Sequence, residues 1–347
     1  MAFASQPKND RVTLRTLAGA LGLSVTTVSR ALKEASDVNA ETIERVKATA
    51  ERLGYRPNLG GVNLRTGKSQ TIGMVVRFER QGELNILTAS LLEGVSSTMK
   101  ARGYRTTLVP QLPADDPLEV VQQLVREGSV DGVLITHTRP QDDRVKYLLE
   151  VGMPVVTFGR TELLSAHAYV DLDHEAIGAE AARLLLDAGH AAPLLFAPSS
   201  QYTYSLQFVK GWTNTFNARH LAVPDDLIHF SATTPNSGLE IVKTILRWHP
   251  AATGAFVASD EAGMGFVAGM RQAGREIGRD FGLLTYGGSN LHDFVSPPTS
   301  AFYYSNYLIG ERLAALLERA MAGEPLAELH TVVNADFIDH RSHLLQA

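Results

Sequence analysis

The rhythm of apolar positions along the chain changes near residue 70. Before that point Leu14, Leu17, Ala18 and Leu21 fall at i, i+3, i+4 and i+7, one stripe of a helix over about 12–20. Gly22 breaks the run, Leu23 can plug the corner, and Ser24 is an N-cap residue type ahead of a second helix over 25–32. In that helix Val28, Ala31 and Leu32 can face inward, which leaves Val25, Thr26, Ser29 and Arg30 near the other face. Asn39 opens a third helix whose stripe is Ile43, Val46, Ala50 and Leu53. The pattern predicts a small all-α head of three short helices.

From Thr71 onward, apolar runs alternate with helical stripes. TIGMVV reads as a strand and Leu87, Leu91, Leu92, Val95 and Met99 mark a helix. TTLVP, GVLIT, PVVTF and AYVDL follow as strands, with helices near 116–127, 142–151 and 174–188. A second series runs through APLLFA, AFVAS and GLLTY, with helices near 203–219, 237–247 and 260–273. Alternation of this kind predicts parallel sheets covered on both faces, and two series predict two lobes. The fold class is therefore α/β with an added helical head.

Composition refines this outline. The 347 residues suggest about two domains. The absence of cysteine excludes disulfides, thiolate metal sites and a cysteine nucleophile. The net charge of −5 conceals an asymmetry: residues 1–68 hold eleven Lys/Arg against six Asp/Glu, +5, which leaves −10 on the rest. A basic head on an acidic body suits a DNA-binding module joined to a second function, although a solvated head with no partner would carry similar charge. The outward residues of the second helix fit the first reading. Val and Thr methyls can pack on thymine methyls, and Arg30 can reach guanine with two hydrogen bonds.

The run VTLRTLAGALGLSVTTVSRAL, followed by VNAETIERVKATAERLGYRPN and LRTGKSQTIGMVV, closely resembles the LacI/GalR family of bacterial transcription regulators over about the first 76 residues. The resemblance implies a helix-turn-helix domain over 1–57, a hinge helix and linker over 58–69, and an effector-binding and dimerisation domain over 70–347. It places Val25, Thr26 and Arg30 at base-reading positions and Thr13, Ser24, Thr27, Ser29 and Asn39 at DNA-backbone contacts. Tyr55, Asn58 and Leu64 join the interface, with Leu64 as a wedge in the minor groove. Gly60 and Gly61 stand where relatives usually carry better helix formers, and each costs about 1 kcal/mol relative to Ala in a helix. A hinge less ordered off DNA than in Ala-bearing relatives is therefore expected.

For the body the resemblance implies the type I periplasmic-binding-protein fold: lobe 1 near 70–172 and 303–331, lobe 2 near 173–302 and 332–347. SAFYYS and the helix over 307–321 are expected to return to the first lobe. Parallel sheets bind ligands at the carboxyl ends of their strands. That rule places Arg77, Phe78 and Glu79, then Thr136, His137 and Arg139, then Arg160 in the cleft, with Ser259, Asp260 and Tyr286 from the second lobe and Tyr304 from a crossover. Asp171 and Asp173 are expected to cap the next helix. Many sugar-responsive members carry Arg where this chain has Phe208, and often Asp where it has Gly287 and Gly288. A carbohydrate effector is thus an implication of the family, not of these residues.

Enzyme chemistry finds no support in the motifs. Gly67-Lys68-Ser69 lacks the P-loop glycine, whose position is Val62. Asp171 and Asp173 begin an EF-hand-like run, but Ala176 and Ala182 occupy the Gly and Glu positions. The glycines at 263, 265 and 269 miss dinucleotide spacing, and neither HExxH nor GxSxG occurs. No catalytic residue, cofactor or metal is expected. The N-terminal MAFASQPKND has no apolar h-region, and no stretch nears membrane-span length, so a cytoplasmic protein without membrane contact is expected. The reading is a homodimeric regulator, most often a repressor by family resemblance, binding a double-stranded, pseudo-palindromic operator under control of a small molecule. The alternative is a sugar-binding or sugar-processing α/β protein whose head does not read DNA.

Overall fold

The computed structural model describes residues 12–55, 68–78 and 86–345. The hinge positions Asn58, Gly60, Gly61 and Leu64, and Glu79 after the first strand, lie outside the described residues. The chain divides into two compact units, 1–69 and 70–347.

The head contains α1 (Leu14–Leu21), α2 (Val25–Ala31) and α3 (Ala40–Arg52). Each start is fixed by a short polar side chain. Thr13 Oγ1 accepts from the Thr16 N–H, Ser24 Oγ from that of Thr27 at 3.0 Å, and Asn39 Oδ1 from that of Glu41 at 2.8 Å. Such caps satisfy backbone donors that the first turn leaves open, and each contributes about 1 kcal/mol. Gly22 ends α1 in the left-handed conformation, φ 64°, which lets the chain turn sharply into α2. Leu17, Ala18, Val28, Ala31, Val46 and Ala50 form the buried centre.

The body is built on two six-stranded sheets. The first contains β1 (Thr71–Arg77), β2 (Arg105–Gln111), β3 (Gly132–Ile135), β4 (Val155–Phe158), β5 (Ala168–Leu172) and β11 (His330–Val333), in the order β11-β5-β4-β3-β1-β2. The second contains β6 (Leu194–Ala197), β7 (Ile228–Phe230), β8 (Gly254–Val257), β9 (Gly282–Gly287), β10 (Ser300–Tyr303) and β12 (Asp336–Ile338), in the order β12-β10-β9-β8-β6-β7. All pairings are parallel except β10 with β12. The central strands are buried throughout, as apolar runs without alternation require.

The chain passes between the sheets after β5, after β10 and after β11. SAFYYS does not return to the first lobe as expected: β10 pairs with β9, Ser300 opposite Leu284, and belongs to the second sheet. The return comes one element later, with α12 (Asn306–Met321), which packs on β3, β4 and β5 and against α4 (Ile86–Ala101). Gly94 and Gly310 permit that helix pair to approach closely. A Cβ at Gly94 would lie 2.1 Å from the Tyr307 carbonyl oxygen. Among the described residues no helix is long and apolar enough to cross a membrane.

Candidate functional site

In the head, α2 turns Val28 and Ala31 inward and leaves Val25, Thr26 and Arg30 exposed, as its periodicity dictates. The side chains of Ser24 and Thr27 bond one another at 2.8 Å. The Arg30 guanidinium pairs with the Asp37 carboxylate across the turn that follows the helix, both side chains being about half exposed. Tyr55 sits at the far end of α3 and packs against the same apolar centre, its N–H donating to Ala50 O at 2.8 Å. The result is one exposed short helix with an arginine at its end, held on a rigid three-helix base.

In the body, a cleft of about 980 Å³, solvent-connected space included, lies between the two sheets. Arg77 at the end of β1, Thr136 and His137 just beyond β3, Ser259, Asp260, Tyr286 and Tyr304 all line it, so seven of the eleven expected cleft residues meet in one place. Phe78, Arg139 and Arg160 do not line the cleft, and Glu79 lies outside the described residues. Phe78 is partly buried and packs against the apolar core, and the Arg160 guanidinium, partly exposed, is held by the buried Asp171 carboxylate of the cleft lining. Asp171, expected as a helix cap, instead binds the Arg160 guanidinium and lies 3.4 Å from His174 Nδ1. The cap of α7 (His174–Asp187) is Asp173, whose Oδ1 accepts from the Ala176 N–H at 3.0 Å.

The wall is largely aromatic. Tyr286 and Tyr304 stack with centroids 5.3 Å apart, and Phe158 meets Tyr304 edge-on at 6.1 Å. His174 Nε2 and the Tyr286 hydroxyl are 2.9 Å apart, which links α7 to β9. On the other side the Arg77 guanidinium bonds the Tyr202 hydroxyl, and Tyr202 stacks on Tyr204 at 5.6 Å with nearly parallel rings. His137 has φ 56°, a conformation that non-glycine residues hold only where surroundings impose it. Its side chain is exposed toward the cleft, with the rings of Tyr202 and Tyr204 packed edge-on beside it. Burial, followed by the charges of Arg77 and Arg144, lowers its pKa to about 4. It therefore presents a neutral imidazole at neutral pH.

Asp260 is the acidic counterpart. It opens α10 (Asp260–Gln272) and is 5% exposed. Its Oδ2 accepts from the Ser289 N–H at 3.1 Å and from the Ser289 hydroxyl, and its Oδ1 from the Glu261 N–H at 2.8 Å. Burial still outweighs these bonds and raises its pKa. A Cβ at Gly287 would lie 2.2 Å from Asp260 Cγ, and one at Gly288 would lie 2.2 Å from Asn306 Nδ2. Neither position can hold the acid common in sugar-responsive members, because Asp260 and Asn306 fill the space. Phe208 is fully buried beneath the wall against His174 and Tyr286.

Cleft residues that sequence reasoning missed include Thr88, Phe158, Asp171, His174, Tyr204, Thr233, Glu261 and Asn306. Those at the inter-sheet passages, Asp171 near the end of β5, His174 just after it and Asn306 after β10, carry no local signal beyond their place at a strand end.

An exposed recognition-type helix and a cleft between two parallel sheets define a DNA-binding regulator with a ligand-binding body. The comparisons agree on both parts. Residues 13–58 match the bacterial regulatory proteins of the lacI family, and residues 69–287 match the periplasmic binding proteins and sugar binding domain of the LacI family. The chain belongs to the LacI family: it is a DNA-binding transcription regulator with a sugar-binding domain, and not an enzyme. It is 33% identical over 287 residues to the HTH-type transcriptional regulator AglR of Rhizobium meliloti, covering 82% of this chain and 79% of that one. The solved complex of the transcriptional regulator CelR with cellobiose is 25% identical with a TM-score of 0.72, covering 96% of this chain and 100% of that one. The lac repressor dimer bound to operator and the anti-inducer ONPF shares the fold, with a TM-score of 0.85 at 19% identity over 96% and 100% of the two chains.

Proposed function

We propose that this protein is a homodimeric repressor that holds a pseudo-palindromic operator and is controlled by a saccharide bound in the cleft. The carrying observation is the composition of that cleft: stacked aromatic faces beside Arg77 and Asp260, with neutral donors and acceptors from Thr136, Ser259 and Asn306. Ring faces suit the C–H surface of a pyranose, and fixed charges suit its hydroxyls, since hydrogen bonds to ionised groups are the stronger ones. CelR, solved with cellobiose, supports this ligand class.

Control follows from where the cleft residues stand. Asp171 and His174 flank the first passage between the sheets, and Tyr304 and Asn306 the second. A ligand touching both lobes favours one lobe arrangement over another. Residues 58–69 are then the segment that conveys the arrangement of two first lobes to two heads, each reading one half-site through Val25, Thr26 and Arg30. Linkage is reciprocal: a ligand that lowers operator affinity must itself bind the DNA-bound form more weakly. Thermal-shift screening of mono- and disaccharides identifies the ligand, because a compound at 100 times its Kd stabilises by about 2.7 kcal/mol. A saccharide that raises Tm in the wild type and not in Asp260→Asn supports the proposal. No saccharide shift, or an equal shift in both proteins, contradicts it.

A further inference from the structure

We propose that the second lobe carries a divalent transition-metal site formed by His292, Asp293 and His340. No sequence motif joins these residues, because 47 positions separate Asp293 from His340. His292 and Asp293 lie on α11 (Leu291–Phe294), and His340 follows β12. His340 Nε2 is 2.8 Å and His292 Nε2 3.7 Å from the same atom, Asp293 Oδ1. All three donor atoms lie within 4.8 Å of one another.

A hydrogen bond explains the first distance. The second is too long for one, yet it suits two ligands of a shared ion. Imidazole nitrogens and carboxylate oxygens bind zinc at ~2.0–2.2 Å, so tetrahedral neighbours stand a little over 3 Å apart. Both histidines are anchored through backbone to the same strand end. The His292 carbonyl accepts from the Thr299 N–H at 3.0 Å, and the His340 N–H donates to Ser300 Oγ at 3.0 Å. The His292 ring is buried with its centroid 5.8 Å from that of Tyr303, whereas the Asp293 side chain is 46% exposed. Water can therefore complete the coordination. Two imidazoles and one carboxylate select zinc, nickel, cobalt or copper over the hard cations magnesium and calcium. A bound ion would tie the β9–β10 connection, which carries Ser289, to the segment after β12.

The test uses untagged full-length protein stripped with chelator. Titration with Zn²⁺ followed by calorimetry should give one equivalent per chain and raise Tm, and Co²⁺ should give the visible absorption of a four- or five-coordinate ion. Mg²⁺ should do neither. His340→Gln and Asp293→Asn should each weaken Zn²⁺ by at least about tenfold, the loss that even an outer partner of a metal site causes. His220→Gln, at an exposed turn elsewhere, should leave it unchanged. Failure of the wild type to bind, or equal binding by His340→Gln and the wild type, would overturn the proposal. Circular dichroism of the two ligand variants separates loss of the site from loss of the fold.

Discussion

Ser289 holds Asp260 by two donors on one oxygen: its N–H at 3.1 Å and its hydroxyl both reach Oδ2. Asp260 thereby keeps one fixed orientation at the mouth of α10. Removing the hydroxyl should free the carboxylate to turn away from the cleft. Hydrogen bonds to charged groups contribute about 1.5–3 kcal/mol, so Ser289→Ala is expected to weaken the cleft ligand by roughly tenfold or more. Calorimetry should find this loss while operator affinity without ligand stays at the wild-type value.

Gly287 should tolerate no side chain. A methyl group there falls 2.2 Å from Asp260 Cγ, so Gly287→Ala must displace either the β9 backbone or the carboxylate. We expect a folded protein that binds DNA and has lost its cleft ligand. Unchanged ligand affinity in titration calorimetry would show that Asp260 is not part of the binding surface.

The Arg30–Asp37 pair sets a competition in the head. Exposed pairs contribute only about 0–1 kcal/mol, whereas a bidentate arginine–guanine contact discriminates by about 1–3 kcal/mol, so DNA should win the guanidinium. Asp37→Asn should raise operator affinity by up to roughly fivefold. Arg30→Ala should lower it and relax base preference at one position in each half-site. Fluorescence anisotropy at fixed salt measures both.

The fold is more legible in the sequence than the cleft is. The stripe Leu14, Leu17, Ala18 and Leu21 and the uninterrupted runs at GVLI and LLFA are local patterns, and each yields the element it predicts. Short strands do not announce themselves. Ile228–Phe230, His330–Val333 and Asp336–Ile338 lie at sheet edges with mixed exposure and are set by partners far along the chain. The lobe to which Ser300–Tyr303 belongs is likewise decided by pairing with β9, not by its own residues. In the cleft, strand ends locate Arg77 and Asp260. That Asp260 fills the room above Gly287, and that Asp171 is bound by Arg160, depends on three-dimensional neighbours no local window contains.

Acid stability should depend on Asp142. It is 1% exposed and lies 2.7 Å from the buried Arg144 guanidinium. Burial pushes its pKa up, but hydrogen bonds from Arg144, the charge of Arg144, and the N–H groups of Arg139 and Arg144 together bring it below the ordinary 3.8. The unfolded chain therefore binds this proton more readily. The pair's stabilisation is complete above the unfolded value and is lost as pH falls through the lower folded one. Asp142→Asn strands a buried guanidinium and should cost about 3 kcal/mol or more at pH 7. The gap from wild type should narrow below pH 4 in denaturant melts, and a gap independent of pH would contradict this.

Whether cleft occupancy sets operator affinity is the central question, and one titration answers it. A palindromic site selected from a random pool is bound at fixed salt, because affinity for DNA has meaning only at a stated salt concentration. The saccharide that stabilises the wild type is then added to saturation. The proposal requires operator affinity to fall about tenfold, the fall to vanish in Asp260→Asn, and saccharide affinity to fall by the same factor when operator is present. A saccharide that fills the cleft and leaves operator affinity unchanged would contradict it.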